Sequence, residues 1–249
     1  MKYHFYFPKN PLDRRADDVK GWIEFWKNDV LAQDPKDADV LVIAGGDGTL
    51  LDAIHELQKF GKPFFGIGRG TKNYLLNEIR NPNNIPRKLS DCVPIALSLI
   101  AVTFHTQAGD MKRLAFNDVY VKSRKYSGVA RMTIRTEFDG VFEAEGDGII
   151  VASPQGSTAY TNAAGGAILP LESSEGHNNW ALTGIVLMSS SLRHVIREQR
   201  IHMDFQYPVV GIADNEEVDG VTSLDIEPSA EKAIILFLPN EAFRERRRK

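Results

Sequence analysis

Val40-Leu41-Val42-Ile43-Ala44 runs directly into Gly45-Gly46-Asp47-Gly48-Thr49 and then Leu50-Leu51. The first five residues form a continuous apolar, mostly β-branched run, the pattern of a central parallel strand covered on both faces. From about Thr49 to Phe60, Leu50, Ile54, Leu57 and Phe60 fall on one helical stripe, which Gly61 and Pro63 end. Between the two elements, three glycines remove every Cβ except that of Asp47. Backbone N–H groups in such a turn can approach an anion closely, and the helix N-terminus adds its partial positive charge. Gly45, Gly46, Gly48 and Thr49 therefore read as a phosphate cradle. The competing reading is a tight turn in which Asp47 is a local cap, but that leaves the carboxylate poorly explained. Phosphates would repel it unless a metal ion lies between them or it is hydrogen-bonded to the hydroxyl that attacks one of them.

Working outward, Lys2 to Phe7 reads as a strand. Asp17 to Leu31 reads as a helix with Val19, Trp22, Ile23, Trp26 and Val30 on one face, and Phe64 to Ile67 as the next strand. This β-α-β-α-β order predicts a small parallel sheet with right-handed crossovers. Beyond about Pro94 the period becomes two. Ala130, Met132 and Ile134 alternate with polar residues, and Asp139-Gly140 supplies the turn to Val141 through Glu145, which makes a hairpin. Further strands are expected at Leu97–Phe104, Asp118–Lys122, Ile149–Ala152, Thr183–Met188, Arg200–Phe205, Val209–Ala213 and Ala233–Leu238. The expected organisation is an α/β domain over residues 1–95 followed by an all-β domain over residues 96–249, joined near the Asn81–Pro86 connector.

Composition narrows the function. The 249 residues are 43% apolar and 25% charged, with a formal charge of −3 and one cysteine. No basic field draws the chain to nucleic acid, no apolar run approaches the roughly 20 residues that span a bilayer, and a single cysteine forms no internal disulfide. The start lacks the features of a secretory signal, so the expectation is a cytoplasmic protein. A Walker loop with its Lys and a Gly-x-Ser-x-Gly elbow are both absent, and the six His show no zinc spacing. Glu143, Glu145 and Asp147 share one strand face, where a solvated edge is the better reading than a metal site. The Arg244–Lys249 charge run reads as a solvated end.

Two more segments carry chemistry. Gly146-Asp147-Gly148 is followed by Ser153-Pro154-Gln155-Gly156-Ser157-Thr158-Ala159-Tyr160 and Gly165-Gly166, a composition that lets a flat polar ligand lie against backbone beside one aromatic ring and that equally suits a plain small-residue loop of a β domain. Asn117-Asp118 enters the strand Val119-Tyr120-Val121 and can hold ribose hydroxyls, because Asn both donates and accepts while Asp accepts, although the pair by itself reads first as a plain turn.

In order and approximate spacing, these three motifs make the chain resemble the NAD kinase family over most of its length. The first motif is shared with lipid kinases of the diacylglycerol type; the combination is more specific. The resemblance implies an N-terminal α/β domain, a β-sandwich-like, dinucleotide-binding C-terminal domain, a site in the cleft between them, and assembly into homodimers or homotetramers. It implies an ATP-dependent transfer to the 2'-hydroxyl of the adenosine ribose of NAD, which makes NADP, with Mg²⁺ or another divalent cation bridging the donor's oxygens. Asp47 would engage that hydroxyl as general base or by orienting it. Asn117 and Asp118 would bind ribose hydroxyls, Thr158, Ala159 and Tyr160 would line the adenine side, and Asp147 would reach the nicotinamide end. Polyphosphate would present similar oxygens to the same turn. Neither membrane nor nucleic acid is implied as a partner.

The chain also departs from the family pattern. The family's Gly-x-x-x-Gly-x-Leu-Gly-Phe segment appears here as Gly66-Ile67-Gly68-Arg69-Gly70-Thr71-Lys72-Asn73-Tyr74. Gly66, Gly70 and the aromatic Tyr74 fit, the last as a dinucleotide contact. Lys72 and Asn73 replace an apolar residue and a glycine, and Arg69 and Lys72 become candidates to offer charge to phosphate. Gln155 stands where a smaller residue is common, and the family's later Asp-Gly-Gln element has no clear counterpart, Asp214-Asn215-Glu216 and Asp219-Gly220-Val221 being the two candidate remnants. The competing functions are a lipid or other hydroxyl-acceptor kinase built on the same cradle, and a catalytically weak regulatory protein that binds NAD or NADP.

Overall fold

The computed structural model describes residues 1–10, 12–23, 30–124, 128–171, 178–188 and 192–239. The chain forms two compact units. One is Met1–Leu97 together with the segment that begins at Ala233, and the other is Ser98–Lys232. The sequence reading has one crossing near residue 95 and assigns everything after it to the second domain. In the structure the last strand returns, because Ile235 pairs with Phe64 and the Leu236 carbonyl accepts from Asn77 Nδ2 at 2.9 Å.

The first unit is built on parallel strands β1 (Tyr3–Tyr6), β2 (Val40–Gly45) and β3 (Phe64–Gly68). β2 pairs with both of the others, and all six of its residues are buried, as a central strand requires. Helix α1 covers Asp17–Ile23, and α2 covers Asp47–Leu57. A 3-10 turn over Gln58–Phe60 prolongs α2 to Gly61, whose φ of 63° is the left-handed stop that the glycine signals. The helix expected to run to Leu31 passes through residues 24–29, Trp26 among them, which lie outside the described residues. Its end is not helical. Tyr3 N–H donates to the Val30 carbonyl at 2.9 Å and Leu31 bridges Tyr3, so the chain there lies along the sheet edge. Tyr3, Val19, Val42, Phe65, Ile67 and Leu236 belong to one core.

The second unit is built from antiparallel strands: most of β4 (Val93–Thr106), then β5 (Gly109–Ala115), β6 (Asp118–Lys122), β7 (Ala130–Thr136), β8 (Gly140–Ala152), β9 (Asn179–Leu187), β10 (Arg193–Arg197), β11 (Ile201–Ala213) and most of β12 (Glu216–Phe237). The expected hairpin is β7–β8, turning at Gly140 with φ 89°. The separate strands expected at Arg200–Phe205 and Val209–Ala213 are one strand, β11, with its register shifting between Asp204 and Val209. β5 and β10 were not expected. Their exposed residues lack apolar alternation, as suits strands lying against β4 and β9 at an edge. Phe104, Val119, Met132, Ile134, Trp180 and Met203 lie in the main core. Among the described residues, no helix is long and apolar enough to cross a membrane.

Candidate active site

In the first unit the strand β2 ends at Gly45, and α2 opens at Asp47, two residues earlier than the apolar stripe suggests. Asp47, Gly48 and Thr49 are thus the helix's first turn, where backbone N–H groups lack partners inside the helix. The preceding Gly46 has no side chain to offer them. A methyl group built on Gly45 would overlap the Thr49 side chain, so that glycine seats the buried Thr49. A methyl built on Gly48 meets nothing within 4 Å. Gly48 instead borders a cavity of about 620 Å³, lined also by Gly46, Asp47, Thr49, Asp52 and the 70–73 loop. Packing within the chain explains Gly45, whereas Gly48 is not required by packing and faces the open cavity.

The Asp47 carboxylate reaches across to the loop after β3. Its Oδ2 accepts from the Tyr74 N–H and its Oδ1 from the Leu75 N–H, both at 2.9 Å. That is a different task from a local cap. Two amide donors fix the carboxylate's plane.

The same loop accounts for the departures from the family pattern. Asn73 has φ 55°, in the left-handed region where glycine is at home and Asn is the best tolerated substitute. Its amide closes on Gly70, accepting from that N–H at 2.8 Å and donating to that carbonyl at 2.7 Å. Arg69, a candidate for phosphate, is engaged elsewhere. It forms a bidentate pair with Asp18, donates to the Gly68 and Ile79 carbonyls, and lies over the Trp22 ring. Lys72 does line the cavity. Tyr74 is half-buried, with the Lys72 ammonium 5.8 Å from its ring centroid. Sequence reasoning passed over Asn77, which is buried and donates to the Gly66 and Leu236 carbonyls while accepting from the Leu238 N–H.

In the second unit the structure brings Asn117, Asp118 and the Gly156–Tyr160 turn together. A methyl on Gly156 would overlap the Asn117 carbonyl, which also accepts from Ser153 N–H and Oγ–H. Asp118 is 5% exposed, and its carboxyl makes no hydrogen bond among the described residues. Burial, and then the charge of Asp214, push its pKa up to about 7. Thr158 is buried; Ala159 is exposed; Tyr160 is partly exposed, its ring edge-on to Tyr120 at 5.1 Å. Asp147 is not part of this group. Asp118 pairs with Ala152 and Gly148 with Lys122, which puts exposed Asp147 about 16 Å further along β8.

Two residues missed as supports hold this group. Asp214, at φ 51°, accepts from the N–H groups of Phe116, Asn117 and Asp118 at 2.7, 2.8 and 3.1 Å. Gln155 is buried and donates through Nε2 to the Ser98 and Phe116 carbonyls. The Asp214-Asn215-Glu216 sequence was one of two candidate remnants, and it is the one whose acid reaches the motif. Asp219 instead accepts from its neighbour's N–H and from Arg124.

Known proteins match the chain over most of its length. Residues 4–95 match the ATP-NAD kinase N-terminal domain and residues 116–174 the ATP-NAD kinase C-terminal domain. The NAD kinase of Brucella suis is 34% identical over 224 residues, covering 85% of this chain and 84% of the relative. That of Rickettsia bellii is 33% identical over 225 residues, covering 86% and 85%. The chain belongs to the NAD kinase family. Its function is therefore that of an ATP-dependent NAD kinase, and the lipid-kinase reading of the first motif falls away. The fold agrees: an NAD kinase from Archaeoglobus fulgidus, solved with ATP, superposes with a TM-score of 0.73 at 24% identity, covering 100% of this chain and 99% of that one. A yeast NADH kinase solved with NADH gives 0.78 at 16% identity, covering 99% and 86%.

Proposed function

We propose that Asp47 is the catalytic residue of an NAD kinase reaction, engaging the adenosine ribose 2'-hydroxyl and accepting or orienting its proton as the oxygen attacks the donor's terminal phosphorus. The observation that carries this is the carboxylate itself, fixed by the Tyr74 and Leu75 amides beside a cavity that Gly48 leaves open. Gly45, Gly46, Gly48 and Thr49 shape the cradle: the N–H groups at the start of α2, that of Gly48 among them, take phosphate oxygens, and Thr49 packs beneath them. The phosphorus–oxygen bond to ADP breaks, and the 2'-oxygen gains the phosphoryl group. Such transfer leaves the protein to position and to stabilise charge, and a positioned base contributes about 10²–10⁴ in rate.

In the second unit, Asn117 and Asp118 bind ribose hydroxyls, with the unpartnered Asp118 carboxyl as the acceptor. Thr158, Ala159 and Tyr160 line the adenine side, Tyr74 of the first unit is a further aromatic contact for the dinucleotide, and Asp147 serves the nicotinamide end. ATP is the donor, the nucleotide with which the Archaeoglobus fulgidus NAD kinase was solved. The described residues hold no group of three or more His, Cys, Asp or Glu that could cage a metal. They do place Asp52 at the cavity, which fits a Mg²⁺ bound mainly by the donor's phosphates and one carboxylate. That ion would supply charge neutralisation between donor oxygens.

We further read the second unit as sandwich-like, the assembly as a homodimer or homotetramer and the location as cytoplasmic. Asp47→Asn tests the central claim. Loss of turnover by about 10²-fold or more is expected in a protein that still folds, with a modest fall in melting temperature because one of the two amide donors loses its acceptor; activity within a few-fold of wild type removes Asp47 from the mechanism.

A further inference from the structure

The cavity at the mouth of α2 is lined by three cations, Lys9, Arg15 and Lys72. Two of them are already committed. Lys9 is paired with Glu56, and Arg15 is held by Asp13, its Nε donating at 2.9 and 3.1 Å to the two carboxylate oxygens. Lys72 has no carboxylate partner among the described residues; its ammonium rests over the Tyr74 ring. It is exposed, and it stands where the family's segment has an apolar residue.

The loop that carries Lys72 is anchored on both sides. On one side Asn73 clamps Gly70, whose Cα lies 3.5 Å from where a Gly46 methyl would be. On the other, Tyr74 and Leu75 hold Asp47. The backbone at Lys72 is therefore tied to both the cradle and the catalytic carboxylate. We propose that Lys72 is a positioning residue for the phosphate donor, an extra cation that this chain's divergent loop brings to the terminal phosphates in the cavity. An ammonium beside the donor's anionic oxygens holds them by charge-assisted contact, so its loss is read in KM for ATP and in tripolyphosphate binding. This rests on the reading that the cavity takes the donor, and it adds which side chain of this chain grips it.

The test compares full-length wild type with Lys72→Met, Lys72→Arg and Asp47→Asn. Steady-state kinetics would vary ATP and NAD separately, and calorimetry would follow inorganic tripolyphosphate alone. For Lys72→Met the expected result is a KM for ATP raised roughly 5- to 20-fold and tripolyphosphate binding weakened by a similar factor. KM for NAD should rise by a clearly smaller factor, through the Tyr74 ring that the ammonium covers, and the melting temperature should not move, with Lys72→Arg recovering most of the loss. An unchanged KM for ATP, or an equal rise for both substrates, overturns the proposal, since the second outcome makes Lys72 a brace for the loop. The two claims separate cleanly. Asp47→Asn should still bind tripolyphosphate while losing turnover, so an active Asp47→Asn refutes the catalytic assignment and leaves the Lys72 result standing.

Discussion

Asn73 closes on Gly70 with both ends of its amide, taking that residue's N–H at 2.8 Å and giving an N–H to its carbonyl at 2.7 Å while its own backbone sits at φ 55°. The pair makes a rigid bend out of a stretch where the family pattern has a glycine. Asn73→Gly keeps the backbone permission and loses the clamp; Asn73→Ala loses both. The expected destabilisation is about 1 kcal/mol for Gly and about 2 kcal/mol for Ala, read from urea midpoints. Turnover should fall in the same order, because Tyr74 and Leu75 then hold Asp47 less firmly. Equal stability of the two variants would show that the left-handed backbone carries no strain.

Gly48 offers the opposite trade. Alanine is the better helix former, and the added methyl touches nothing in the chain. Gly48→Ala should raise stability by about 0.5–1 kcal/mol. It should also raise KM for ATP, because the methyl enters the space a phosphate needs. A stabilised variant with unchanged kinetics would mean that phosphate lies elsewhere in the cavity.

Burial holds the Asp118 pKa near 7, with Asp214 adding to the shift. A carboxyl raised in this way favours folding fully below its unfolded value near 3.9, and the advantage is gone once pH passes the folded value. Asp118→Asn mimics the neutral acid at every pH. Its stability relative to wild type should therefore climb between pH 4 and pH 8, by about 2 kcal/mol or more. KM for NAD should rise roughly 10-fold at pH 8 through the lost charged acceptor. Parallel stability curves for the two proteins would refute the shifted carboxyl.

Away from the site, His105 and His202 are each held between carboxylates: His105 by Asp110 at 2.7 Å and Asp225 at 2.8 Å, His202 by Asp225 at 2.7 Å and Asp204 at 3.2 Å. Only an imidazolium donates from both nitrogens. Hydrogen bonds to Asp110 and Asp225 raise the His105 pKa. Burial opposes the charge on His202, but Asp225 and Asp204 outweigh it and the net shift is also upward. This support is complete below the unfolded value near 6.5 and fades as pH rises through the folded values. Asp204, lowered chiefly by Arg135, adds support that fades at the acid end. A His105→Gln, His202→Gln double variant should lose stability at pH 6 and little at pH 9, as thermal melts at the two pH values would measure. An equal loss at both would mean that the rings are braced as neutral groups.

What could be read from residue order was what neighbours along the chain decide. The apolar run of β2, the glycines after it and the stripe of α2 act within a few residues of one another, so strand, turn and helix are legible, and with them the place of Asp47 in the turn between the two. The β7–β8 hairpin is legible for the same reason. What tertiary structure decided depends on partners far apart in sequence. The end of β12 returns to β3, Arg69 is taken by Asp18, and Asp214 reaches Phe116 from 98 residues away. β5 and β10 stayed hidden because exposed edge strands need no apolar alternation. Asn73 looked like a loss of the family's glycine until its backbone angle and its hold on Gly70 were known. Periodicity records which face a residue buries, whereas the partner of a particular carboxylate or amide is set only when the chain closes on itself.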